Sequence, residues 1–336
     1  MTAERRFHLI AALLLLVVVA AARVYVFFDR IDAPLKLDEP KFIIVEPGTN
    51  LRRIVRSLQA ERVLPKGFDL LVYARLDGSA SRIKTGEYEL TPDLTARTFL
   101  QKLVDGDVVY HQVRIVEGWT LKQALDVLHA HPALVAQLDA NDPQAIQQAF
   151  DTDTYPEGQF FPDTYNFTRG TTDVQVLQRA RALMQQVLDT AWAARDANLP
   201  YASPQEALVM ASIVEKETAI GAERTQIAGV FVRRLQRNMR LQTDPTVIYG
   251  LGAEFDGNLT RAHLTSDTPW NTYTRDGLPP TPIALPGRAS IEASMHPDDS
   301  DALYFVARGD GSHYFSATLE EHNRAVRQYQ LNGGQN

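Results

Sequence analysis

The sequence predicts an α+β protein with an N-terminal transmembrane helix, a small α+β module and a larger mixed α/β domain whose long loops line a cleft. Three observations lead to this prediction: an apolar run near the N-terminus, a strand–turn–helix pattern that occurs twice, and a later series of long helical segments. With 336 residues, 45% of them hydrophobic and 22% charged, the chain can bury the cores of more than one domain.

An apolar segment at residues 7–28 follows the basic residues Arg5 and Arg6. About 20 apolar residues are enough for a helix to cross ~30 Å of hydrocarbon. Basic residues before the segment favour a cytoplasmic N-terminus and an exported remainder. The same residues also fit a cleaved signal peptide, with the alanines at 20–22 as the cleavage region. We therefore expect either a single-pass membrane anchor or a signal peptide, and in both cases an exported body.

The strand–turn–helix pattern first occurs in FIIVEPGTNLRRIVRSLQAERVL, where apolar residues recur at the spacing of one helical face. These residues are Leu51, Ile54, Val55 and Leu58. IVEGWTLKQALDVL repeats the pattern with Leu121, Ala124, Leu125 and Leu128. The segment between the copies adds another strand and another helix. Together they predict a small α+β module that ends near residue 130.

The larger domain is predicted from three helices, at 173–197, from the cap residue Ser203 onward, and at 223–237. Residues 242–289 show little periodicity, and a connection of that length is uncommon unless it is functional. ALYFVARGDGSHYFS predicts a hairpin and TLEEHNRAVRQYQ a closing helix. The predicted boundaries are 1–6 cytoplasmic, 7–28 transmembrane anchor, 29–41 linker, 42–130 α+β module and 131–336 larger domain.

Composition excludes several classes of function. The net charge of −7 argues against nucleic acid as a partner. The absence of cysteine removes disulfides and thiolate chemistry, and in an exported chain it favours a bacterial periplasm. No H-E-x-x-H motif occurs, and the eight histidines lack ligand spacing. We predict neither a metal nor a cofactor.

The segment MASIVEKETAIG, residues 210–221, places two glutamates and a lysine at the end of a predicted apolar helix. Glu215 and Glu217 lie about 200° apart on such a helix, so the two carboxylates cannot face one cleft. Both belong to the last turn, where the helix dipole and partial burial raise a carboxyl pKa. That environment suits a general acid, but the spacing does not choose between the two glutamates. The alternative for either one is an ion pair with Lys216 or Arg224.

Five segments together resemble those of the endolytic murein transglycosylase family, the YceG-like membrane-anchored enzymes of bacterial cell-wall assembly. They are ASIVEKET, MRLQTDPTVIYGLG, EGQFFPDTY, NTYTRDGLPPTPIALPG and LYFVARGDGSHYFS. The resemblance covers almost the whole chain. Gln159 departs from it, since an aromatic residue is common at that place, and this puts a peripheral sugar contact in question.

The resemblance implies that Glu217, the second glutamate of the Glu-Lys-Glu-Thr motif, is catalytic. It also implies that the first module is LysM-like. The substrate-binding residues that it implies are Gln242, Thr243, Asp244, Tyr249, Asn271, Tyr273 and Glu157. Trp270 is a further candidate for a sugar-stacking face.

The family's reaction is cleavage of the β-1,4 bond between N-acetylmuramic acid and N-acetylglucosamine within glycan strands, with 1,6-anhydro-N-acetylmuramic acid as the new end. Such a reaction needs one carboxylate rather than two, because the C6 hydroxyl of the sugar is a tethered nucleophile. The resemblance implies that Glu217 acts first as acid and then as base. The implied partners are peptidoglycan glycan strands, the inner membrane, and peptidoglycan synthases or the division machinery, with termination of nascent strands as the role.

Two other functions fit parts of the sequence. Ser212 and Lys216 lie four residues apart on one helical face, as a Ser/Lys hydrolase requires. A non-catalytic glycan-binding or cell-division scaffold is the second alternative, because the first module alone would bind glycan without cutting it.

Overall fold

The computed structural model describes residues 3–331. Residues 1–2 and 332–336 lie outside the described part, so the start of the predicted cytoplasmic segment and the end of the predicted larger domain are not described. The chain forms two compact units. The first comprises Met1–His111 with Thr168–Gly170, and the second comprises Gln112–Phe167 with Thr171–Asn336. The fold is α+β, as predicted.

The N-terminal helix α1 (Ala3–Ile31) is longer than the predicted anchor by three or four residues at each end. Within it, Arg5–Ile31 is long and apolar enough to cross a membrane, and none of its most apolar part is buried in protein. A signal sequence has the same properties, so both alternatives fit. Residues that follow α1 pack onto the first unit: Leu35 is only 5% exposed, and Arg97 donates to Asp32 at 2.6 Å. The predicted linker is therefore part of a folded unit.

The first unit surrounds one apolar core. After α1 its elements are β1 (Lys41–Val45), α2 (Leu51–Ala60), α3 (Gly67–Leu76), a 3-10 turn (Ser79–Ser81), β2 (Gly86–Leu90) and α4 (Ala96–Asp105). β1 and β2 are antiparallel, with Ile43 opposite Tyr88. The predicted apolar face of α2 is confirmed, since its four residues are all buried in this core.

The second unit is mainly helical and holds two apolar cores. Its elements run β3 (Tyr110–Arg114), α5 (Leu121–Ala130), α6 (Pro143–Ala149), β4 (Thr164–Thr168), α7 (Asp173–Ala194), α8 (Pro204–Glu217), a 3-10 turn (Gly221–Glu223), α9 (Arg224–Gln236), α10 (Asp244–Leu251), a 3-10 turn (Gly252–Glu254), α11 (Arg261–Thr265), α12 (Arg288–Met295), β5 (Tyr304–Ala307), β6 (His313–Ser316), α13 (Leu319–Val326) and a π-helical turn (Arg327–Leu331). β3 pairs with β4, and β5 with β6.

Helix α5 belongs to the second unit, whereas the sequence placed it in the first module. Its predicted apolar face is confirmed, but Leu121, Leu125 and Leu128 pack in one core with Val176 and Leu177 of α7. A periodic apolar face shows which side of a helix is buried, and it does not show which element covers that side. In the structure the first unit comprises the residues up to His111 together with Thr168–Gly170, and α5 lies outside it.

Helix α8 passes through the main core of the second unit. The side chain of Ser203 accepts a hydrogen bond from the backbone N–H of Glu206, and Pro204 occupies the first turn, as the sequence predicts. All residues of α8 from 207 to 214 are buried. Helices α7, α9 and α12 pack around it. The first and last turns of α8 leave the core, and the last turn brings Glu215, Lys216 and Glu217 toward the surface of a folded scaffold.

The region 242–289, predicted as long loops, contains the short helices α10 and α11 and the start of α12. Helices of five to eight residues are too short to show a clear 3.6-residue period, so the sequence pattern misses them. The predicted hairpin is confirmed as β5–β6, with Phe305 opposite Phe315. The 223–237 helix is confirmed to within one residue at each end.

Candidate active site

Glu217 is the last residue of α8, and its half-buried side chain lines an open cavity of about 410 Å³. The hydroxyl of Thr243 donates a hydrogen bond to Glu217 Oε1. Thr243 is itself fixed, because its backbone N–H donates to Thr272 Oγ1 at 3.1 Å. The preceding residue, Gln242, donates its N–H to the carbonyl of Thr272 at 3.1 Å. The carboxyl group of Glu217 is thus held by a segment from elsewhere in the chain, which hydrogen bonds to Thr272 anchor in turn.

Burial raises the pKa of Glu217 to about 7, and the nearby carboxylate of Asp244 contributes to the increase. The hydrogen bond from Thr243 and the imidazole of His313 act in the opposite direction. A carboxyl group with this pKa is protonated in a large share of molecules at neutral pH. It can therefore donate a proton and, once ionised, accept one. Burial is the main cause of this shift, whereas the sequence argument gave the helix dipole equal weight.

Glu215 has a different environment, and this separates the two glutamates that the sequence left equivalent. Its carboxylate accepts a hydrogen bond from the N–H of Gly287 at 2.9 Å and lies 3.7 Å from the guanidinium of Arg224. Its side chain is only 7% exposed. Glu215 therefore links α8 to α9 and to the start of α12, as the ion-pair alternative predicted, and Glu217 is the carboxylate that faces the cavity.

The Ser/Lys arrangement is not formed. Ser212 is fully buried, donates to the carbonyl of Val209 at 2.7 Å and accepts from the N–H of Ile283 at 3.0 Å. Lys216 donates to the carbonyl of Gly118 at 3.1 Å. Within residues 3–331, no hydrogen bond joins the serine to the lysine. Because the hydroxyl of Ser212 already donates one hydrogen bond and accepts another within the core, it is not available as a nucleophile.

Four of the predicted substrate-binding residues line the cavity with Glu217: Gln242, Thr243, Asp244 and Tyr273. The phenol of Tyr273 donates to Asp244 Oδ1 at 2.6 Å. This pair lies on the exposed side of the cavity, whereas Thr243 is almost completely buried.

The other predicted residues lie elsewhere. Asn271 has no exposed surface; its amide donates to the backbone carbonyls of His263, Leu264 and Ser266, and its oxygen accepts from the N–H of Tyr273. Asn271 thus holds the loop that carries Tyr273. Trp270 packs edge-on against Tyr249 and donates to Thr281 at 2.9 Å.

Glu157 and Tyr249 form a separate pair, with the phenol donating to Glu157 Oε2 at 3.1 Å. Glu157 is 2% exposed and also accepts from the N–H groups of Leu121 and Gly158. It lies at the edge of a second cavity of about 670 Å³, which Gln159 also lines. The structure therefore does not bring Glu157, Tyr249 and Asn271 into the cavity of Glu217.

Sequence reasoning missed several residues of the Glu217 cavity. They are Arg234, Tyr304, His313 and His322. The hairpin motif that contains Tyr304 and His313 carried the only signal, namely alternating aromatic residues on both strands. In the described part of the chain, no group of three or more histidine, aspartate or glutamate side chains is placed to hold a metal ion.

One half-buried carboxyl group with a pKa near neutrality lies at the end of a core helix and is open to a cleft, which makes Glu217 a candidate general acid on an α+β scaffold. The chain belongs to the YceG-like family, whose sequence profile matches residues 43–328. It is similar to the endolytic murein transglycosylase of Bacillus subtilis (strain 168), with 33% identity over 85% of this chain and 84% of that protein. A protein of the same name from Streptococcus pneumoniae D39 is 29% identical over 88% of this chain, which spans 60% of that relative. A crystal structure of a yceG-like protein from Listeria monocytogenes matches 85% of this chain and 99% of the other with 31% identity and a TM-score of 0.53.

Proposed function

We propose that this protein is an endolytic peptidoglycan lytic transglycosylase whose general acid is Glu217. The observation that carries the proposal is the cavity-facing position of Glu217 with a pKa raised to about 7. The relatives named endolytic murein transglycosylase support the substrate class, because the similarity extends over 85% of the chain.

The proposed reaction cleaves the β-1,4 bond between N-acetylmuramic acid and N-acetylglucosamine inside a strand. Glu217 donates its proton to the departing glycosidic oxygen as the C1–O4 bond breaks. The C6 hydroxyl of the muramic acid attacks C1 and closes a 1,6-anhydro ring, and its proton leaves to a base. Since the nucleophile belongs to the substrate, no protein group has to activate water. The side chains of Gln242, Asp244 and Tyr273 are placed to hydrogen-bond the sugars.

The proposal also covers where the protein is located in the cell and which partners it has. The apolar helix α1 and the basic residues before its apolar part support a single-pass anchor in the inner membrane, with the catalytic unit in the periplasm. The part of the first unit that follows α1, with strands β1 and β2 and helices α2, α3 and α4, would act as a LysM-like glycan-binding module. We further propose that the enzyme terminates nascent strands beside peptidoglycan synthases or the division machinery.

The product identifies the reaction. Incubation of the detergent-solubilised protein with isolated glycan strands should give internal fragments that end one water lighter than hydrolysis products. Glu217→Gln should abolish them, and Glu292→Gln, which changes an exposed glutamate outside the cavity, should not. Ordinary reducing ends would instead indicate hydrolysis, for which Asp244 would be the second carboxylate. Uncut strands that remain bound to the protein would support the scaffold alternative.

A further inference from the structure

The cavity of Glu217 contains a second group capable of proton transfer, His313 on β6. Its ring is held by Glu223, with 2.7 Å between His313 Nδ1 and Glu223 Oε2. The backbone N–H of His313 donates to the other carboxylate oxygen at 2.9 Å. The two side chains are only 13% and 12% exposed. This two-point attachment fixes the position of the imidazole.

Glu223 connects the histidine to the segment that follows the acid. It precedes α9, and the hydroxyl of Thr218, the residue after Glu217, lies 3.5 Å from Glu223 Oε2. Burial raises the pKa of Glu223, but the hydrogen bonds from His313 outweigh this, so the pKa lies below its ordinary value. An ionised carboxylate at Nδ1 keeps the proton on that nitrogen and leaves the lone pair on Nε2. A base oriented by a carboxylate is a recurrent arrangement in enzymes that activate a hydroxyl.

The surroundings of His313 restrict its ring further. Phe305 of β5 packs edge-on against the imidazole, with 5.4 Å between ring centroids. The other charged or titratable side chains that line the cavity are Glu217, Arg234, Asp244, Tyr273, Tyr304 and His322. Arg308 and Asp310 occupy the turn of the same hairpin. Acid and imidazole thus reach the cavity from different elements, the end of α8 and strand β6.

We propose that His313 is the base that takes the proton from the C6 hydroxyl, with Glu223 as its positioning residue; this rests on the proposed transglycosylase function. The C1–O4 bond breaks first and leaves an oxocarbenium ion at C1, and the O6–C1 bond then forms on the same face of the sugar. The hydroxyl proton moves to Nε2, and the proton of Glu217 moves to O4. The imidazolium then returns a proton to the Glu217 carboxylate through solvent, so no water is consumed. Glu217 would therefore act as acid alone.

The pH dependence of kcat/KM for strand cleavage tests the proposal. In the wild type, kcat/KM falls at low pH as the base is protonated and at high pH as Glu217 ionises. His313→Gln keeps a hydrogen-bonding side chain toward Glu223, and it should lower kcat/KM about 10²–10⁴-fold and remove the fall at low pH. Glu223→Gln should also lower kcat/KM, because the imidazole loses the carboxylate that holds the proton on Nδ1. His296→Gln is the matched control, since His296 pairs with Asp196 at 2.8 Å on the exposed surface.

A second measurement covers the possibility that His313→Gln is damaged in its fold. His313→Ala should recover activity when imidazole is added, which a purely structural defect would not. The proposal is overturned if wild-type protein makes 1,6-anhydro ends while His313→Gln keeps its rate and its low-pH fall, or if imidazole restores nothing. Failure of the wild type to make such ends would instead reject the proposed function itself.

Discussion

Glu157 and Glu217 share a pKa raised to about 7 by burial, yet they lie in different kinds of site. The carboxylate of Glu157 is 2% exposed and accepts hydrogen bonds from the N–H groups of Leu121 and Gly158 and from the phenol of Tyr249. Glu217 is half-buried, accepts from Thr243 and faces an open cavity. A raised pKa therefore does not by itself indicate a catalytic acid. The carboxyl group must also be accessible to a substrate, and of these two glutamates Glu217 is the more accessible.

The chain positions of the two glutamates explain the difference. Glu157 lies in a turn, where the first N–H of α5 and the first N–H after the glutamate point at its carboxylate. Glu217 lies at the C-terminal end of α8, where the backbone groups without a helical partner are carbonyls rather than N–H groups. N–H donors therefore hold the carboxyl group of Glu157 inside the protein, whereas the carboxyl group of Glu217 is held by the hydroxyl of Thr243 and faces the cavity.

The largest expected effect is on catalysis. Glu217→Gln should reduce strand cleavage by at least ~10³-fold, because an amide cannot donate a proton to the leaving oxygen. Glu157→Gln should change it by less than ~10-fold, since the amide oxygen can still accept from the backbone. Circular dichroism should show that both variants remain folded. Equal losses of strand cleavage in the two variants would then contradict the conclusion that only Glu217 acts as the acid.

Removal of the Glu157 side chain should act on stability instead. Glu157→Ala leaves the N–H groups of Leu121 and Gly158 and the phenol of Tyr249 without their acceptor, and we expect a loss of about 3 kcal/mol in the free energy of unfolding. Urea denaturation of the detergent-solubilised protein measures this. A loss below ~1 kcal/mol would show that water replaces the carboxylate at no penalty.

Both glutamates should also make stability depend on pH. Their pKa values are about 7 in the folded chain and near 4.5 in the unfolded chain, so between these values the unfolded chain has already released the proton. Stability from these groups is therefore present below pH 4.5, decreases up to pH 7 and then levels off, by about 3 kcal/mol for each group. Thermal unfolding of Glu217→Gln and Glu157→Gln at pH 5 and pH 8 should show a smaller difference between the two pH values than the wild type. An unchanged difference would contradict the burial argument.

The smallest effect is expected at Thr243. Its hydrogen bond favours the ionised form of Glu217, so Thr243→Val should raise the pKa of the acid. The decline of kcat/KM at alkaline pH should move to higher pH, while kcat/KM at neutral pH changes by less than ~10-fold. A pH profile with the same alkaline limb would show that Thr243 does not control the ionisation of Glu217.

Local patterns made several parts of the molecule predictable. Residue spacing identified the buried faces of α2 and α5, the cap and burial of α8, and the β5–β6 hairpin. The sequence could also show that one charged turn leaves the core. Helical spacing alone could not choose Glu217 over Glu215, and only the family resemblance favoured Glu217. The physical difference depends on Gly287 and Arg224, whose contacts with Glu215 arise from the packing of α8 against its neighbours.

Long-range contacts explain the other differences. Glu157 meets Tyr249 across 92 positions, and Glu223 meets His313 across 90. No periodicity within a segment carries such information. The roles of Glu157 and Asn271 in holding loops and the membership of α5 in the second unit depend on contacts of this kind, which the family resemblance did not specify.

Gln242 adopts a φ of +53°, although it is not glycine. A side chain in the left-handed region costs about 1 kcal/mol relative to glycine, and here it is retained on the rim of the cavity beside Thr243. An engineer who seeks heat tolerance would choose glycine at this position. Under the proposed function, that change would also remove an amide placed to contact the sugar, so we expect it to improve thermal stability while weakening substrate binding.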